Sequence, residues 1–303
     1  MTLLTLSTVL VVAAVVLAAT LLAQYRFNSK YRFPGVVPGW PIIGNALDVP
    51  SPGGFWGHQM AKKYGEILGG KNIVFLNLAR VVHDLMEKRA SIYASRPFRP
   101  MAQDIASGGA RMLLMGHTDK WRGQRKIMHS ILNSQQAESK FADFQELESR
   151  HLVRDYLHTP EKYHSANQRF SNSVIMSVIF GRRCTLGDEQ LTTILNLMHE
   201  FSLLLFKPSA LNVCDGLTWL ARLPKPLQWW RPYGEDLLQR TLAIYQGKVD
   251  MLNEKMNLGV TKPCFSTALI EGTGKKEYNF TDAEKLMIFS TLLEAGSDTS
   301  RTA

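Results

Sequence analysis

The chain has 303 residues, of which 45% are hydrophobic and 20% are charged, and its formal net charge is +9. This composition is typical of a globular protein that also carries an apolar anchor. The excess of basic residues favours acidic partners or anionic membrane surfaces. It is scattered, however, and forms no DNA- or RNA-binding motif, so we expect no nucleic acid partner.

Residues 1–24 form the first predicted element, a single transmembrane helix. Leu3 to Ala23 carries no charged residue and as a helix would span about 30 Å, the thickness of a bilayer's hydrocarbon core. Arg26, Lys30 and Arg32 follow at once, so the positive-inside rule places the body in the cytosol. A cleaved signal peptide is the alternative. It is disfavoured because the apolar run exceeds the usual core of about 7–15 residues and no basic residue precedes it.

Residues 25–50 are predicted to form a basic, proline-rich hinge. Three prolines and three glycines lie between Phe33 and Asn45, and they prevent a helix from continuing. The hinge therefore links the anchor to a body that comprises residues 51–303.

The body is predicted to be mainly α-helical with one small β-hairpin. Ile67-Leu68 and Ile73 to Leu76 read as the two strands, with the turn at or near Gly69-Gly70. The predicted helices cover residues 55–64, 79–89, 118–132, 136–158, 162–180, 187–206, 231–257 and 281–303. Most of the breaks between the later helices contain proline or glycine.

The helix over 118–132 contains a candidate binding motif, W-x-x-x-R. Trp121 and Arg125 lie one turn apart on the same helix face. An indole N–H beside a forked guanidinium suits a porphyrin propionate. A half-buried Trp and a solvated Arg on a surface helix remain the simpler alternative for the isolated pair. His117, four residues before Trp121, could share the same face.

Three cysteines, Cys184, Cys214 and Cys264, are widely spaced and form neither a C-x-x-C pair nor a metal-ligand pattern. An odd number of separated cysteines argues against a disulfide framework. We therefore predict reduced, buried side chains, and no metal site in the chain.

The helix over 281–303 is predicted to begin with a capping box, because Thr281 is followed three residues later by Glu284. Apolar residues at helical spacing then line one side: Leu286, Phe289, Leu292 and Leu293. Gly296 lies within the helix, where glycine costs about 1 kcal/mol relative to alanine. Such a cost indicates a specific reason for the glycine.

Together these motifs resemble those of the cytochrome P-450 family, the haem-thiolate monooxygenases. The matching stretches are the hinge, Tyr93-Ala94-Ser95-Arg96-Pro97, the run W-R-x-x-R-K-x-x-H from Trp121, and Ala295-Gly296-Ser297-Asp298-Thr299. The residues in these motifs are most similar to those of fungal microsomal members of the family. The resemblance implies a mainly α, incomplete cytochrome P-450 fold, a helical bundle with a small β-sheet, behind the transmembrane helix. It corresponds to the N-terminal three-fifths of a family member.

The resemblance also implies the site residues and the cofactor, haem (heme). Five residues would contact the haem: Trp121, Arg125, His117, Ala295 and Gly296. Asp298 and Thr299 would relay the protons that oxygen activation requires, which is a sensible task for a hydroxyl beside a carboxylate.

The resemblance implies a monooxygenase that inserts one oxygen atom from dioxygen into a small apolar organic substrate. Electrons would come from NADPH through an NADPH-cytochrome reductase. The protein would be a single-pass protein of the endoplasmic reticulum membrane, acting in secondary metabolism or in aromatic or xenobiotic oxidation. Lys120, Arg122 and Lys126 form either a docking face for the reductase or an ordinary solvated surface.

The resemblance further indicates what residues 1–303 lack. In family members the cysteine that binds the haem iron comes later, and Phe180 to Cys184 matches that cysteine loop only at Arg182. The alternative function is therefore a truncated, inactive, membrane-anchored remnant that does not bind haem. For the same reason we expect the apolar side of the helix over 281–303 to be left uncovered.

Overall fold

The computed structural model describes residues 74–185, 187–207, 209–272 and 280–302, together with Ile67–Gly69 and scattered positions between 11 and 63. The chain divides into two units, Met1–Tyr93 and Ala94–Ala303. Most of the predicted anchor, the hinge and the helix over 55–64 lies outside the described residues.

In the first unit, the described positions between 11 and 30 are helical. No helix within the described residues combines the length and the hydropathy that crossing a bilayer requires. Strand β1, Ile67–Gly69, pairs antiparallel with β2, Val74–Leu76, so that Ile67 lies opposite Leu76. The predicted hairpin is confirmed.

The remaining described part of the first unit is helical but irregular. Helix α1, Ala79–Val82, continues into a wide π turn at His83–Glu87, and α2 covers Ala90–Tyr93. The helix predicted over 79–89 is therefore present at its start but loses α-helical geometry at His83. Side-chain pairs one turn apart, such as Lys88 with Asp84 at 2.9 Å, accompany the wide turn.

The described residues of the second unit fold into α-helices joined by short turns. The helices are α3 Asp119–Leu132, α4 Ser134–Gln136, α5 Ala142–His158, α6 Tyr163–Phe180, α7 Glu189–Phe206, α8 Val213–Gly216, α9 Arg231–Asn257, α10 Phe265–Gly272 and α11 Asp282–Thr302. The second unit also contains π turns at Pro100–Ile105 and Ala137–Phe141. It has 3₁₀ turns at Pro160–Lys162, Thr218–Arg222 and Lys225–Leu227.

Five of the predicted helices, those now α3, α6, α7, α9 and α11, are confirmed to within two residues at their starts. The helix predicted over 136–158 is interrupted by the π turn at Ala137–Phe141. Helix α10 was not predicted, because its eight residues are too few for a periodic pattern to be distinctive.

Local chemistry explains where two of these helices end or begin. Helix α6 ends at Gly181, whose φ of +63° is a left-handed conformation that glycine adopts at little cost. Helix α7 begins after Asp188, whose carboxylate accepts hydrogen bonds from the backbone N–H groups of Gln190 and Leu191 at 3.0 and 3.2 Å.

Helix α11 lies in the main hydrophobic core. The Phe289 ring packs edge-on against Phe180 of α6 and Phe265 of α10, with centroids 5.5 and 6.1 Å apart. Leu286 and Leu293 are also buried. The expectation that this apolar side would be uncovered was therefore wrong, because α6 and α10 of the same unit cover it.

A second core forms where residues 100–106 meet α7 and α9. Its centre is Trp230, which is fully buried, together with Met101, Phe201 and Leu237. This core fixes residues 100–106 against two long helices, and those residues lead directly into the stretch before α3.

Helices α5 and α6 are joined by a buried cluster of charges. Glu148 of α5, only 1% exposed, forms ion pairs with Arg169 of α6 and with Arg183, which follows α6. Arg169 also donates to Asp155 at 2.8 Å. We call Glu148, Asp155, Arg169 and Arg183 the α5–α6 charge cluster.

Candidate functional site

The first candidate group lies at the start of α3. Thr118 caps this helix, since its hydroxyl accepts a hydrogen bond from the Trp121 N–H at 3.2 Å. The cap fixes the backbone of the first turn, which carries Trp121.

Trp121, Arg125 and His117 lie together, as predicted from their spacing of four residues. The Arg125 guanidinium carbon is 5.3 Å from the centroid of the Trp121 ring. The His117 ring meets the same indole edge-on, at 5.0 Å between centroids. Whether His117 contacts a cofactor remains a prediction.

Arg125 differs from its basic neighbours in what it binds. Its side chain is exposed and makes no ion pair or hydrogen bond with any residue of the described part of the chain. By contrast, Arg122 pairs with Asp119 and Lys120 pairs with Glu284. Arg125 is therefore a forked donor, held beside an indole, that can receive a carboxylate from outside the chain.

The second candidate group lies on α11, whose start confirms the predicted capping box. The Thr281 N–H donates to the Glu284 carboxylate at 2.8 Å, and the Glu284 N–H donates to the Thr281 hydroxyl at 3.3 Å. Burial alone would raise the pKa of Glu284. Hydrogen bonds from Lys120 and from Thr281 outweigh it and hold this pKa below its ordinary value.

Ala295 and Thr299 form an open strip near the end of α11. Both are exposed and they lie one turn apart. The Thr299 hydroxyl donates to the Ala295 carbonyl at 2.6 Å, and the helix continues through this turn to Thr302. The side chain of Asp298 lies outside the described residues, so its predicted role stays a prediction.

Gly296 has a packing reason that sequence analysis did not identify. A Cβ atom at this position would lie 2.6 Å from Cγ1 and 3.0 Å from Cβ of Ile175 on α6. The Ser171 hydroxyl, also on α6, donates to the Gly296 carbonyl at 3.1 Å. The glycine thus permits close contact between α6 and α11; its predicted role at the haem remains untested.

The two candidate groups are connected through the start of α11. The Lys120–Glu284 ion pair joins α3 to α11, and Glu284 precedes Ala295 by about 16 Å of helix. A haem needs a partner for its carboxylates and space at its face. The exposed Arg125 guanidinium on α3 can bind the carboxylates, and the exposed strip of Ala295 and Thr299 on α11 can lie against the face. The residues present therefore fit this group.

A buried pair missed by sequence analysis adjoins the strip. Arg111, which is 1% exposed, forms an ion pair with Glu294, the residue before Ala295. The available signal was a charged residue just before the Ala-Gly pair, because no other charged residue lies between Leu286 and Ser297. Its partner, 183 positions earlier, could not be inferred from spacing.

The three cysteines are buried and unpaired, as predicted. Burial, with a smaller contribution from Asp188, raises the pKa of Cys184 to about 11. Burial likewise raises the pKa of Cys214 to about 11 and raises that of Cys264. At neutral pH all three are thiols, whereas metal binding requires the thiolate.

Two further features of the described residues bear on the site. No group of three or more His, Cys, Asp or Glu side chains among them is arranged to hold a metal ion. A small pocket that opens to solvent is lined by Met176, Phe180, Arg182, Lys248, Met251, Leu252 and Lys255. None of the predicted site residues lines it.

Comparison with known proteins gives one family. The sequence profile described as cytochrome P-450 matches residues 34–303. Cytochrome P-450 monooxygenase fogE of Aspergillus ruber is 30% identical over 298 residues, which cover 95% of this chain and 55% of the relative. Cytochrome P-450 monooxygenase virE of Hypocrea virens is 30% identical over 294 residues, covering 94% and 53%. Cytochrome P-450 monooxygenase verL of Clonostachys rogersoniana is 31% identical over 285 residues, covering 90% and 51%. The chain spans about half the length of these curated relatives.

Proposed function

The chain belongs to the cytochrome P-450 family, and from this premise we propose that the protein is a haem-dependent monooxygenase. It would insert one oxygen atom from dioxygen into a small apolar organic substrate, with electrons from NADPH supplied by an NADPH-cytochrome reductase. Bound haem would supply the activation of dioxygen. The substrate class we propose is a secondary metabolite, an aromatic compound or a xenobiotic, which substrate-induced changes in the haem spectrum would test.

The observation that carries the proposal is the state of Arg125. The Arg125 guanidinium is exposed, lies beside Trp121 and has no ion pair among the described residues. It can therefore bind a carboxylate without breaking an existing ion pair. We propose that Arg125 binds a haem propionate and that the Trp121 indole N–H assists it. Two parallel charge-assisted hydrogen bonds would also fix the orientation of the haem.

On α11, we propose that the strip of Ala295 and Thr299 faces the haem. Ala295 leaves space because its side chain is a single methyl group. The Thr299 hydroxyl donates to the Ala295 carbonyl in this structure, so passing a proton onward requires rotation of the hydroxyl away from that carbonyl. Asp298 would supply the proton in this relay.

The reductase is proposed from family membership alone. On α3, Lys120 is already bound to Glu284 and Arg122 to Asp119. Their charges are thereby partly neutralised, which makes α3 a weaker docking surface than its sequence indicates.

We propose that the protein is anchored in the endoplasmic reticulum membrane by residues 1–24, with its body in the cytosol. Exposed apolar side chains in the second unit, namely Phe206, Trp219, Leu227 and Trp229, would provide further contact with a lipid bilayer. In carbonate extraction of microsomes the protein should remain with the membrane pellet. Release into the soluble fraction would contradict the anchor.

Replacement of Arg125 tests the proposed site. In a haem-loaded protein of the relatives' length, Arg125→Ala should weaken haem retention by about ten- to a hundredfold, because a charge-assisted hydrogen bond contributes about 1.5–3 kcal/mol. Arg125→Lys should restore only part of it, since lysine lacks the fork. The measurement is haem transfer to apomyoglobin.

Arg122→Ala is the matched control, because it removes the same kind of side chain from the same helix but one that is bound to Asp119. It should release haem at the wild-type rate. Equal release from wild type and Arg125→Ala would rule out the propionate role.

A second candidate applies to residues 1–303 taken alone: a membrane-anchored remnant without haem or turnover. The burial of all three cysteines, which leaves none of them open to a haem, favours it for this stretch.

A further inference from the structure

Arg111 is a deeply buried charged residue of the second unit, and it contacts several elements at once. It pairs with Glu294 of α11, and its Nε donates to the Ser107 hydroxyl at 3.1 Å. Its guanidinium carbon lies 3.7 Å from the centroid of the Phe201 ring on α7. One side chain therefore joins residues 100–115, α7 and α11.

Glu294 has two further polar neighbours, Ser290 on the same helix and Tyr245 on α9. The Ser290 hydroxyl donates to its carboxylate at 2.8 Å. The buried phenol of Tyr245, on α9, has a raised pKa because of burial and because the Glu294 carboxylate is near. Glu294 immediately precedes Ala295, the first residue of the open strip.

Residues 100–115 are internally ordered around this contact. The Ser107 hydroxyl donates to the Ala102 carbonyl at 2.7 Å, and the Gln103 amide donates to the Gly109 carbonyl at 3.1 Å. Gln124 of α3 donates to the Ala110 carbonyl at 3.2 Å. The segment is thus held by hydrogen bonds of its own and by one from α3, and Arg111 is its charged link to α11.

A buried ion pair is a poor source of stability. Desolvation of the two charges consumes most of their attraction, and well-packed neutral residues often serve as well. Such a pair does fix the relative position of the two segments that carry it. Either charge buried without its partner is strongly unfavourable, so the two side chains must meet. The burial of Arg111 therefore indicates a role in register between residues 100–115 and α11.

We propose that the Arg111–Glu294 pair positions residues 100–115 beside the Ala295–Thr299 strip and so sets the size of ligand that fits there. This inference rests on the proposed function, since it takes the strip to face haem. Arg111 and Glu294 are positioning residues in this account; neither touches the reacting atoms.

The test uses two haem-binding probes of different size, imidazole and 4-phenylimidazole, in the haem-loaded protein of the relatives' length. The variants are Arg111→Met, Glu294→Gln and the double variant that carries both. Removing both charges avoids an unpaired buried charge, so the double variant should unfold closer to the wild-type temperature than either single variant.

In the double variant, the dissociation constant of 4-phenylimidazole should rise by about tenfold while that of imidazole stays within about twofold. The phenyl ring loses apolar contacts once residues 100–115 are no longer held in place, whereas imidazole does not reach them. Amide hydrogen exchange over residues 106–115 should also become faster. Arg240→Met, which breaks a partly exposed ion pair with Glu200, is the control and should leave the ratio of the two constants unchanged.

An unchanged ratio in the double variant would overturn the inference and leave the proposed function intact. A wild-type protein that gives no haem spectrum with either probe would defeat the proposed function, and this inference with it.

Discussion

Replacing Glu148 with glutamine is expected to destabilise the second unit by about 3–5 kcal/mol, a large part of the roughly 5–15 kcal/mol typical of a domain. Glu148 is 1% exposed and is the shared partner of Arg169 and Arg183 in the α5–α6 charge cluster. The amide would leave Arg169, itself buried, without its main counter-charge.

The pH dependence should have a definite sign. Burial alone would raise the pKa of Glu148, but hydrogen bonds from Arg183, Arg169 and Ser173 outweigh it and hold this pKa below its ordinary value of 4.5. A lowered pKa in the folded state stabilises the fold above the unfolded value, and this stabilisation is lost as the pH falls through the folded pKa. The difference between wild type and Glu148→Gln should therefore be constant near neutral pH and shrink below about pH 4.5.

Urea unfolding monitored by circular dichroism measures this difference. The matched control is Glu146→Gln, on the same helix, which breaks an exposed pair with Arg150 and should cost less than about 1 kcal/mol. Equal midpoints for the two variants would show that the α5–α6 charge cluster does not stabilise the fold.

None of the three cysteines of residues 1–303 is expected to bind haem iron. The axial ligand of a haem-thiolate protein must be a thiolate that reaches the iron. Cys184, Cys214 and Cys264 are buried among the side chains of the described residues, so none of them presents its sulfur to a bound haem. Cys184 is also fixed in the main core, and its backbone N–H donates to the Ser173 hydroxyl at 2.9 Å.

Local features of this fold could be predicted from sequence. The hairpin between β1 and β2, the bounds of α9 and the capping box of Thr281 and Glu284 all depend on residues close together in the chain. Such patterns determine the local backbone structure, because turn residues, helix periodicity and helix caps each act over only a few positions.

Contacts between distant residues could not be predicted in this way. Sequence alone did not indicate that Gly296 faces Ile175, or that Arg111 pairs with Glu294 across 183 positions. The expected exposure of the apolar side of α11 failed for the same reason. That expectation assumed that residues outside 1–303 cover the apolar side of α11. In the structure, Phe180 of α6 and Phe265 of α10 pack against it.

The candidate site was predicted from sequence only in part. The proximity of Trp121 and Arg125 follows from helical spacing, and the structure shows it directly. That Arg125 makes no ion pair within the described residues, while Arg122 and Lys120 do, depends on which acidic side chains lie nearby in three dimensions.

The carbon monoxide difference spectrum tests the central proposal most directly, namely that Arg125 and the Ala295–Thr299 strip belong to a haem-thiolate site whose thiolate is none of Cys184, Cys214 and Cys264. We predict a thiolate-type band from the haem-loaded protein of the relatives' length. The band should persist in each of the single variants Cys184→Ala, Cys214→Ala and Cys264→Ala. Residues 1–303 alone, with haem added, should give no such band. A thiolate-type band from residues 1–303, or its loss in any of the three variants while the protein remains folded, would contradict the account.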